Sequence, residues 1–440
     1  MTRVFEFSAD LEGAYRFFEN PEVSVEELER TRGEACAKRL DPKTPTIVPI
    51  DQTSIKLDEQ RKTMNFGSVG NRKTDARGVH VMTAVTLDAE GVVQGVLFQR
   101  RWLRSEEPSP RYIHGQNDRR SDKRPAELRE SFEWIRVLEG CDEQLKLHAP
   151  EARAWYQVDQ GADFWRVFTW AHEHEALLTA RISNERVVVN HGHINHLHPW
   201  IAGRPVAYHY DLELPERVGK DARAYRVAHL SVRFGTTEFQ FAVTKKRRTP
   251  VTLSVVAVTE PRPPQGVEPI DWLLLTTYPV RTPDDARLVI RNYVLRWRVE
   301  EFHRTLKTGA CDIEASEMES FESFSRLLVI ASSVAARIER IKFLSRTQPD
   351  APATVAYSKE EIDVIIRLRE QHMARNKPPF RPSDVPPLGA VTYWVAELGG
   401  YRPSKTRGPP GTIVLARGLA ILEIAVLGAR AARSPPSRCG

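Results

Sequence analysis

Residues 293–309 read YVLRWRVEEFHRTLKTG, and how this stretch is read decides what the rest of the chain is taken to be. Wound as an α-helix with Tyr293 at zero, Arg296 falls at about 300°, Glu300 at about 340°, Arg304 at about 20° and Lys307 at about 320°. Leu295, Val299, Phe302 and Leu306 collect between about 180° and 240°, an apolar face opposite that polar stripe. Glu301 lies to one side, at about 80°, so the two adjacent glutamates are not equivalent. One reading is an ordinary solvated helix face, with Glu300 and Arg304 as an i,i+4 pair contributing about 0.3–0.5 kcal/mol. The other makes Glu300 a metal-binding carboxylate inside a surface built for phosphates. That reading needs further carboxylates, because one glutamate cannot hold the hard divalent cations of phosphoryl transfer.

Two candidates stand at the ends of apolar runs: Asp51 closes TIVPID and Asp159 closes AWYQVD. Open α/β sheets place their ligands outside the carboxyl ends of strands, where both aspartates are expected. Each taken alone reads equally as a turn or cap residue. Together with Glu300 they form the template for two metal ions about 3.5–4 Å apart, activating an attacking hydroxyl and stabilising the leaving oxygen of an in-line displacement at phosphorus. The cations around Glu300 then become grips for a nucleic-acid backbone on either side of the scissile phosphate.

Around these residues the pattern alternates. Residues 9–40 read as helical up to the Asp41–Pro42 break. TIVPID, HVMTAVTLD (80–88) and VVQGVLFQRRWL (92–103) read as strands, the last two joined by a short AEG turn. A helix is expected over 125–146, opened by Pro125, then the AWYQVD strand, a helix, and the ALLTARIS strand (176–183). From 184 to 268 the chain turns β-rich, with separate runs HYDLEL, YRVAHLSVRF, TEFQFAV and VTLSVVAV. WLLLTTYPV follows as a buried strand, and then one long helix from Thr282 to about Thr308. Thr282, Asp284 and Asp285 supply its N-terminal cap, and Gly309 is its stop. The remainder is mainly helical. The expected fold class is α/β: a core interrupted by a β-rich insertion. Its parts are an N-terminal region at 1–41, a catalytic domain at 42–345 with the insertion at 184–268, and a helical region at 346–440.

Composition is that of a soluble globular chain, 41% hydrophobic and 28% charged. A net charge of +6 and a pI near 9.1 lean towards a polyanionic partner. Basic clusters occur at QRRWLR, RRSDKR and TKKRRTP, each also readable as a solvated loop. Cys36, Cys141, Cys311 and Cys439 stand far apart without a CxxC pair, which excludes a cysteine zinc site and argues for a reducing compartment. The N-terminus has no apolar signal core, and the run LAILEIAVLGA from Leu419 carries Glu423 and is too short to span a bilayer. A cytoplasmic, nucleoid-associated protein is expected. HGHINHLHPW gathers His191, His193, His196 and His198, and with no Cys or carboxylate partner in view it reads as a polar loop in preference to a metal site.

The spacing Y-x2-R-x3-E-x6-K, present as Tyr293, Arg296, Glu300 and Lys307, resembles the signature of the bacterial DDE transposases of insertion-sequence family four. The resemblance runs through most of the chain: EGAYRFFENPEVS (12–24), IDQTS (50–54), VDQGADFW (158–165), WLLLT (272–276) placed 21 residues before the tyrosine, and LGGY (398–401) followed by SKTRGPPG. It implies a ribonuclease-H-like mixed-sheet core and cut-and-paste transposition with Mg²⁺ or Mn²⁺ through hairpin-ended DNA. The implied partners are transposon-end DNA, target DNA and a second copy of the chain, with the 346–440 region in dimerisation. Asp51, Asp159 and Glu300 would be the catalytic metal ligands. Tyr293, Arg296, Arg304 and Lys307 would contact the transposon end, Trp272 would stack a flipped base, and Arg181 would flank the site.

The chain departs from the pattern in three ways. It starts just before EGAYRF, where the family has several tens of residues more, so 1–41 reads as the remnant of a DNA-binding region. Pro49 stands in a strand expected to be central, where a proline usually marks an edge or bulge. Gln52 replaces the family's usual threonine. The shortened start motivates an alternative, a truncated, catalytically impaired DNA-binding and dimerising protein that interferes with a full-length transposase. A two-metal nuclease without strand transfer is a third reading.

Overall fold

The computed structural model describes residues 8–57, 65–70, 76–104, 129–190, 192–216, 224–242, 248–373, 385–403 and 408–433. The fold is mixed α/β, organised on one 12-stranded, mostly antiparallel sheet. Its strands are β1 (Thr46–Lys56), β2 (Gly67–Ser68), β3 (Arg77–Leu87), β4 (Val93–Trp102), β5 (Ala154–Val158), β6 (Leu177–Ile182), β7 (Val187–Asn190), β8 (His193–His196), β9 (Tyr208–Leu214), β10 (Arg226–Ala242), β11 (Arg248–Thr259) and β12 (Asp271–Thr276). They run β2-β3-β1-β5-β6-β12-β11-β10-β7-β8, with β4 also on β3 and β9 also on β10. Among the described residues, only β1–β5 and β5–β6 pair in parallel. Strands expected within 184–268 do form, but they continue the central sheet through β12, which pairs antiparallel with β6. Two hydrophobic layers cover the faces, one under the helices Glu133–His148 and Trp165–Glu173, the other under Pro283–Val294, Trp297–Lys307 and Phe321–Thr347.

The β3–β4 hairpin closes as its turn predicts: Gly91 adopts φ +85° and donates to the Asp88 carbonyl at 3.0 Å, a conformation that a side chain would strain. Several expectations change. YRVAHLSVRF and TEFQFAV fuse into the single strand β10, because β11 pairs with it continuously from Ser231 to Ala242. Gly235 sits there for close approach, not for a turn: a Cβ would lie 2.9 Å from the Trp200 ring. Pro49 lies in an interior strand, between β3 and β5. The β1–β3 register passes from Ile47↔Leu87 to Ile50↔Ala84, and a residue without an N–H is tolerated in that gap. The helix expected to open at Pro125 starts at Glu133, after a 3₁₀ turn at Glu130–Phe132; Pro125 lies outside the described residues.

The fourth change concerns the opening stretch. In place of one helix there are two, Pro283–Val294 and Trp297–Lys307. At the joint Arg296, Arg298 and Val299 donate to carbonyls three residues back, so the backbone tightens into a 3₁₀ turn. The expected cap holds: Thr282 and Asp285 form a capping box. Gly309 also ends the second helix, through close approach: a Cβ there would lie 2.9 Å from the Arg304 carbonyl oxygen.

N-terminal helices Ser8–Glu19 and Val25–Ala37 replace one continuous run, parted at Pro21. The Arg326 guanidinium ties both to the long helix Phe321–Thr347 by donating to the Phe18 and Val23 carbonyls at 2.8 and 2.6 Å. The last helix, Thr412–Arg433, is longer than its apolar run suggests, and Thr412–Ala432 is by length and composition sufficient to cross a membrane. Its Leu422 and Val426 nevertheless pack with Leu388, Val391 and Trp394. Gly418 lets the backbones meet, since a Cβ there would fall 1.8 Å from the Val395 carbonyl oxygen.

Candidate active site

Asp51 sits in mid-strand, not at a strand end as the apolar run suggests, because β1 continues to Lys56 along β3. It lies just beyond the last residue, Pro49, that pairs with β5. Asp159 follows the end of β5 directly, capping a 3₁₀ turn with Oδ1 accepting from the Gly161 N–H at 2.8 Å. The two aspartates therefore stand where neighbouring parallel strands part. Glu300 reaches them from the helix Trp297–Lys307, whose Val299, Phe302 and Leu306 are fully buried and whose Leu295 flank is partly buried, as the wheel requires. Thr305 fixes that helix to the long helix by donating to Glu339 at 2.5 Å, and Lys342 neutralises Glu339 at 2.6 Å.

Arg296 lies between the carboxylates. Its Nη2 donates to Glu300 Oε1 at 2.5 Å and its Nη1 stands 3.8 Å from Asp51 Oδ2, so Glu300 pairs backwards with Arg296 and not with Arg304. Burial, with the charges of Asp159 and Glu300 adding to it, pushes the Asp51 carboxyl up to about 7 despite Arg296. The Tyr293 hydroxyl is pushed up to about 12, chiefly by burial, with Arg296 and Arg181 opposing. Trp272 meets the Tyr293 ring edge-on, centroids 6.1 Å apart. The structure thus brings Asp51, Asp159, Glu300, Tyr293, Arg296, Arg181 and Trp272 into one neighbourhood.

Lys307 and Arg304 stand further along the helix. Lys307 is engaged by Glu314 at 3.2 Å, a partner absent from the sequence reading. Arg304 is exposed, with no side-chain partner among the described residues. Glu301 is taken by Arg298, whose guanidinium covers the Phe343 ring at 4.1 Å. Of the basic clusters, Arg100 and Arg101 are held in ion pairs with Glu133 and Glu29, while 119–124 and 243–247 lie outside the described residues. His198 has a carboxylate partner after all, Glu185 Oε2 at 2.8 Å from Nδ1; His191 lies outside the described residues.

Sequence reasoning missed His303. Its Nδ1 is 4.0 Å from Asp51 Oδ2 and its Nε2 is 3.2 Å from Thr83 Oγ1. Burial pulls its pKa down to about 3, so it stands neutral at pH 7. Thr83 is directly opposite Asp51 on β3, and Gln99 is opposite Thr83 on β4. Gln99 donates to Thr83 at 3.0 Å and accepts from Arg32 at 3.2 Å and Ser332 at 3.1 Å. On the wheel His303 falls at about 280°, between the apolar face and the polar stripe, the one signal that could have flagged it.

The three carboxylates offer hard oxygen donors of the kind Mg²⁺ and Mn²⁺ select, and Arg296 does not offset the burial and neighbouring negative charge that raise the Asp51 carboxyl. By donor chemistry the residues fit a divalent cation. Among the described residues, though, no three His, Cys, Asp or Glu side chains close around one point, and the Arg296 guanidinium stands between two of the candidates. No protein-family model matches the chain.

Proposed function

We propose that the chain is a DDE-type DNA transposase with a ribonuclease-H-like core, cleaving DNA at transposon ends and joining the freed 3′-hydroxyl to target DNA. The observation that carries the reading is the approach of Asp51, Asp159 and Glu300 to one neighbourhood from two parallel strands and one helix, with burial, and after it the charges of the other two, raising the Asp51 carboxyl. The strand order β4-β3-β1-β5-β6, antiparallel on one side of β1 and parallel on the other, supports the core assignment. Asp51, Asp159 and Glu300 would hold Mg²⁺ or Mn²⁺, which when bound supplies Lewis-acid activation and charge neutralisation for in-line displacement. Arg296 holds Glu300 and Asp51 in register and turns to phosphate when the carboxylates are otherwise neutralised. Arg181, Arg304 and Lys307 grip the strand beside the scissile phosphate, and the partly exposed Trp272 offers an aromatic face to an unstacked base. Exposed Ile413, Ile421, Ile424 and Leu427 on the last helix suit a contact between two copies.

The test compares the parent chain and Glu300→Gln on a transposon-end duplex in Mg²⁺. The parent is expected to cut and join. Glu300→Gln should bind the end and melt at the parent temperature, yet cut at least about a hundredfold more slowly, the scale for disturbing a metal site. Equal cutting rates defeat the assignment of Glu300. Cutting without joining reassigns the chain to a plain two-metal nuclease, and binding without cutting to a non-catalytic DNA-binding protein.

A further inference from the structure

A second concentration of positive charge lies away from the carboxylates. A cavity of about 760 Å³ opens between the helix Val25–Ala37, the start of β4, the helix Phe321–Thr347 and the 3₁₀ turn at Ala353–Val355. Its wall carries four arginines, Arg32, Arg39, Arg337 and Arg340, and none of the described lining residues is acidic. Gln94, at this end of β4, lies roughly 17 Å along the strand from Gln99, while the wall residue Arg32 reaches Gln99 itself and so joins the cavity to the row that ends at Asp51.

Two of the four, Arg39 and Arg340, are held in place without being neutralised. Arg340 donates to the Val93 carbonyl at 3.2 Å, to Gln94 Oε1 at 2.7 Å and to the Val355 carbonyl at 3.4 Å. Arg39 donates to the Gln94 carbonyl at 3.0 Å. Neither forms an ion pair with a described carboxylate, whereas Arg337 is paired with Glu361. Burial and the neighbouring charge of Arg39 pull the Arg340 guanidinium below its ordinary value. Arg32, itself buried, gives one hydrogen bond to Gln99 and is ion-paired through Nη2 with Glu29 at 3.6 Å, which leaves Arg39 and Arg340 as the cations of the wall unpaired among the described residues. Beside this charge the wall presents the exposed alkyl groups of Val334 and Val355. Guanidinium groups fixed by neutral acceptors, with donors to spare, form a preorganised receptor for phosphate oxygens. The volume falls in the range of small-ligand sites and is too confined for a duplex to enter whole.

We infer that this cavity binds phosphate oxygens, presented by a small phosphorylated molecule or by a DNA backbone lying across its mouth, with Arg39 and Arg340 as the principal ligands. Binding is measured by titration calorimetry on the full chain at low salt, with inorganic triphosphate, ATP and a short DNA duplex, in the parent, Arg39→Gln and Arg39→Gln/Arg340→Gln. Saturable triphosphate or ATP binding, weakened several-fold by Arg39→Gln and at least tenfold by the double variant, supports the site. A duplex that displaces triphosphate and is weakened by the same substitutions supports it too, and names DNA as the phosphate source. Because Arg39 is exposed, the single variant retains its fold and keeps the test decisive if the double variant melts early. No saturable binding, or equal binding in parent and Arg39→Gln, overturns the inference. Glu300→Gln is expected to bind triphosphate as the parent does; loss there places the anion at the carboxylates, defeating the cavity but not the transposase reading.

Discussion

Two aspartates, both withdrawn from solvent, sit in opposite circumstances. Asp163 has a side chain 1% exposed, and every neighbour offers it a proton: the Ser183 and Asn184 N–H groups at 3.3 and 3.2 Å, Asn184 Nδ2 at 2.7 Å, and Arg186 in an ion pair. Asp51 has a side chain 16% exposed, faces two other carboxylates, and has its cation at 3.8 Å. Burial alone therefore does not make a site. A carboxylate enclosed by donors locks a corner of the fold, whereas Asp51, with one cation at 3.8 Å and two carboxylates in its neighbourhood, keeps oxygens available to a ligand.

The contrast can be broken from either end. Asp163→Ala should destabilise by about 3–5 kcal/mol, since it strands the half-buried Arg186 guanidinium and leaves the donors around Asp163 unpaired, and a denaturant titration checks it. Asp51→Asn should do the reverse. The folded Asp51 carboxyl titrates at about 7 against 3.8 unfolded, so between those values the folded state binds the extra proton and stability falls as pH rises. In chelator, Asp51→Asn should match the parent at pH 4 and exceed it at pH 8, by at most about 4 kcal/mol from a shift of about three pKa units. A variant less stable than the parent at pH 8 would erase the distinction between the two aspartates. Mg²⁺ at pH 8 should raise the parent's melting temperature and leave that of Asp51→Asn unmoved, because only a cation bound to the folded state stabilises it. Thr83→Val, which removes the partner of Gln99 and His303, should cost about 1–3 kcal/mol by chemical denaturation. Smallest is Arg304→Ala: with no side-chain partner to lose among the described residues, it should leave stability unchanged and lower the salt slope of DNA binding by about one.

What could be read in the residues was local. Hairpin chemistry at Gly91, the capping box at Thr282 and the apolar face of Val299, Phe302 and Leu306 all follow from neighbours within a few positions, and the structure keeps them. The place of Asp159 at a strand end was legible because an apolar run ending in a carboxylate is a pattern of its own; the same pattern misplaced Asp51, which pairs on in mid-strand. What escaped depends on partners far along the chain. The wheel cannot register the 3₁₀ joint at Arg296, since that is a property of the backbone. Nor does any short-range pattern place Glu314 on Lys307, or His303 against a residue of β3. The break expected inside β10 failed for the same reason: continuous pairing with β11 outweighs the local preference of Gly235.

The row from Arg32 to Asp51 has one more property. Gln99 Oε1 takes two donors, so its amide has a single orientation and its Nε2 must face Thr83. The Thr83 hydroxyl, receiving that bond, has its own hydrogen free for His303 Nε2. That bond suits the imidazole that carries its hydrogen on Nδ1, the nitrogen turned towards Asp51. A continuous row of side-chain contacts thereby joins an arginine on an N-terminal helix to a histidine beside the carboxylate.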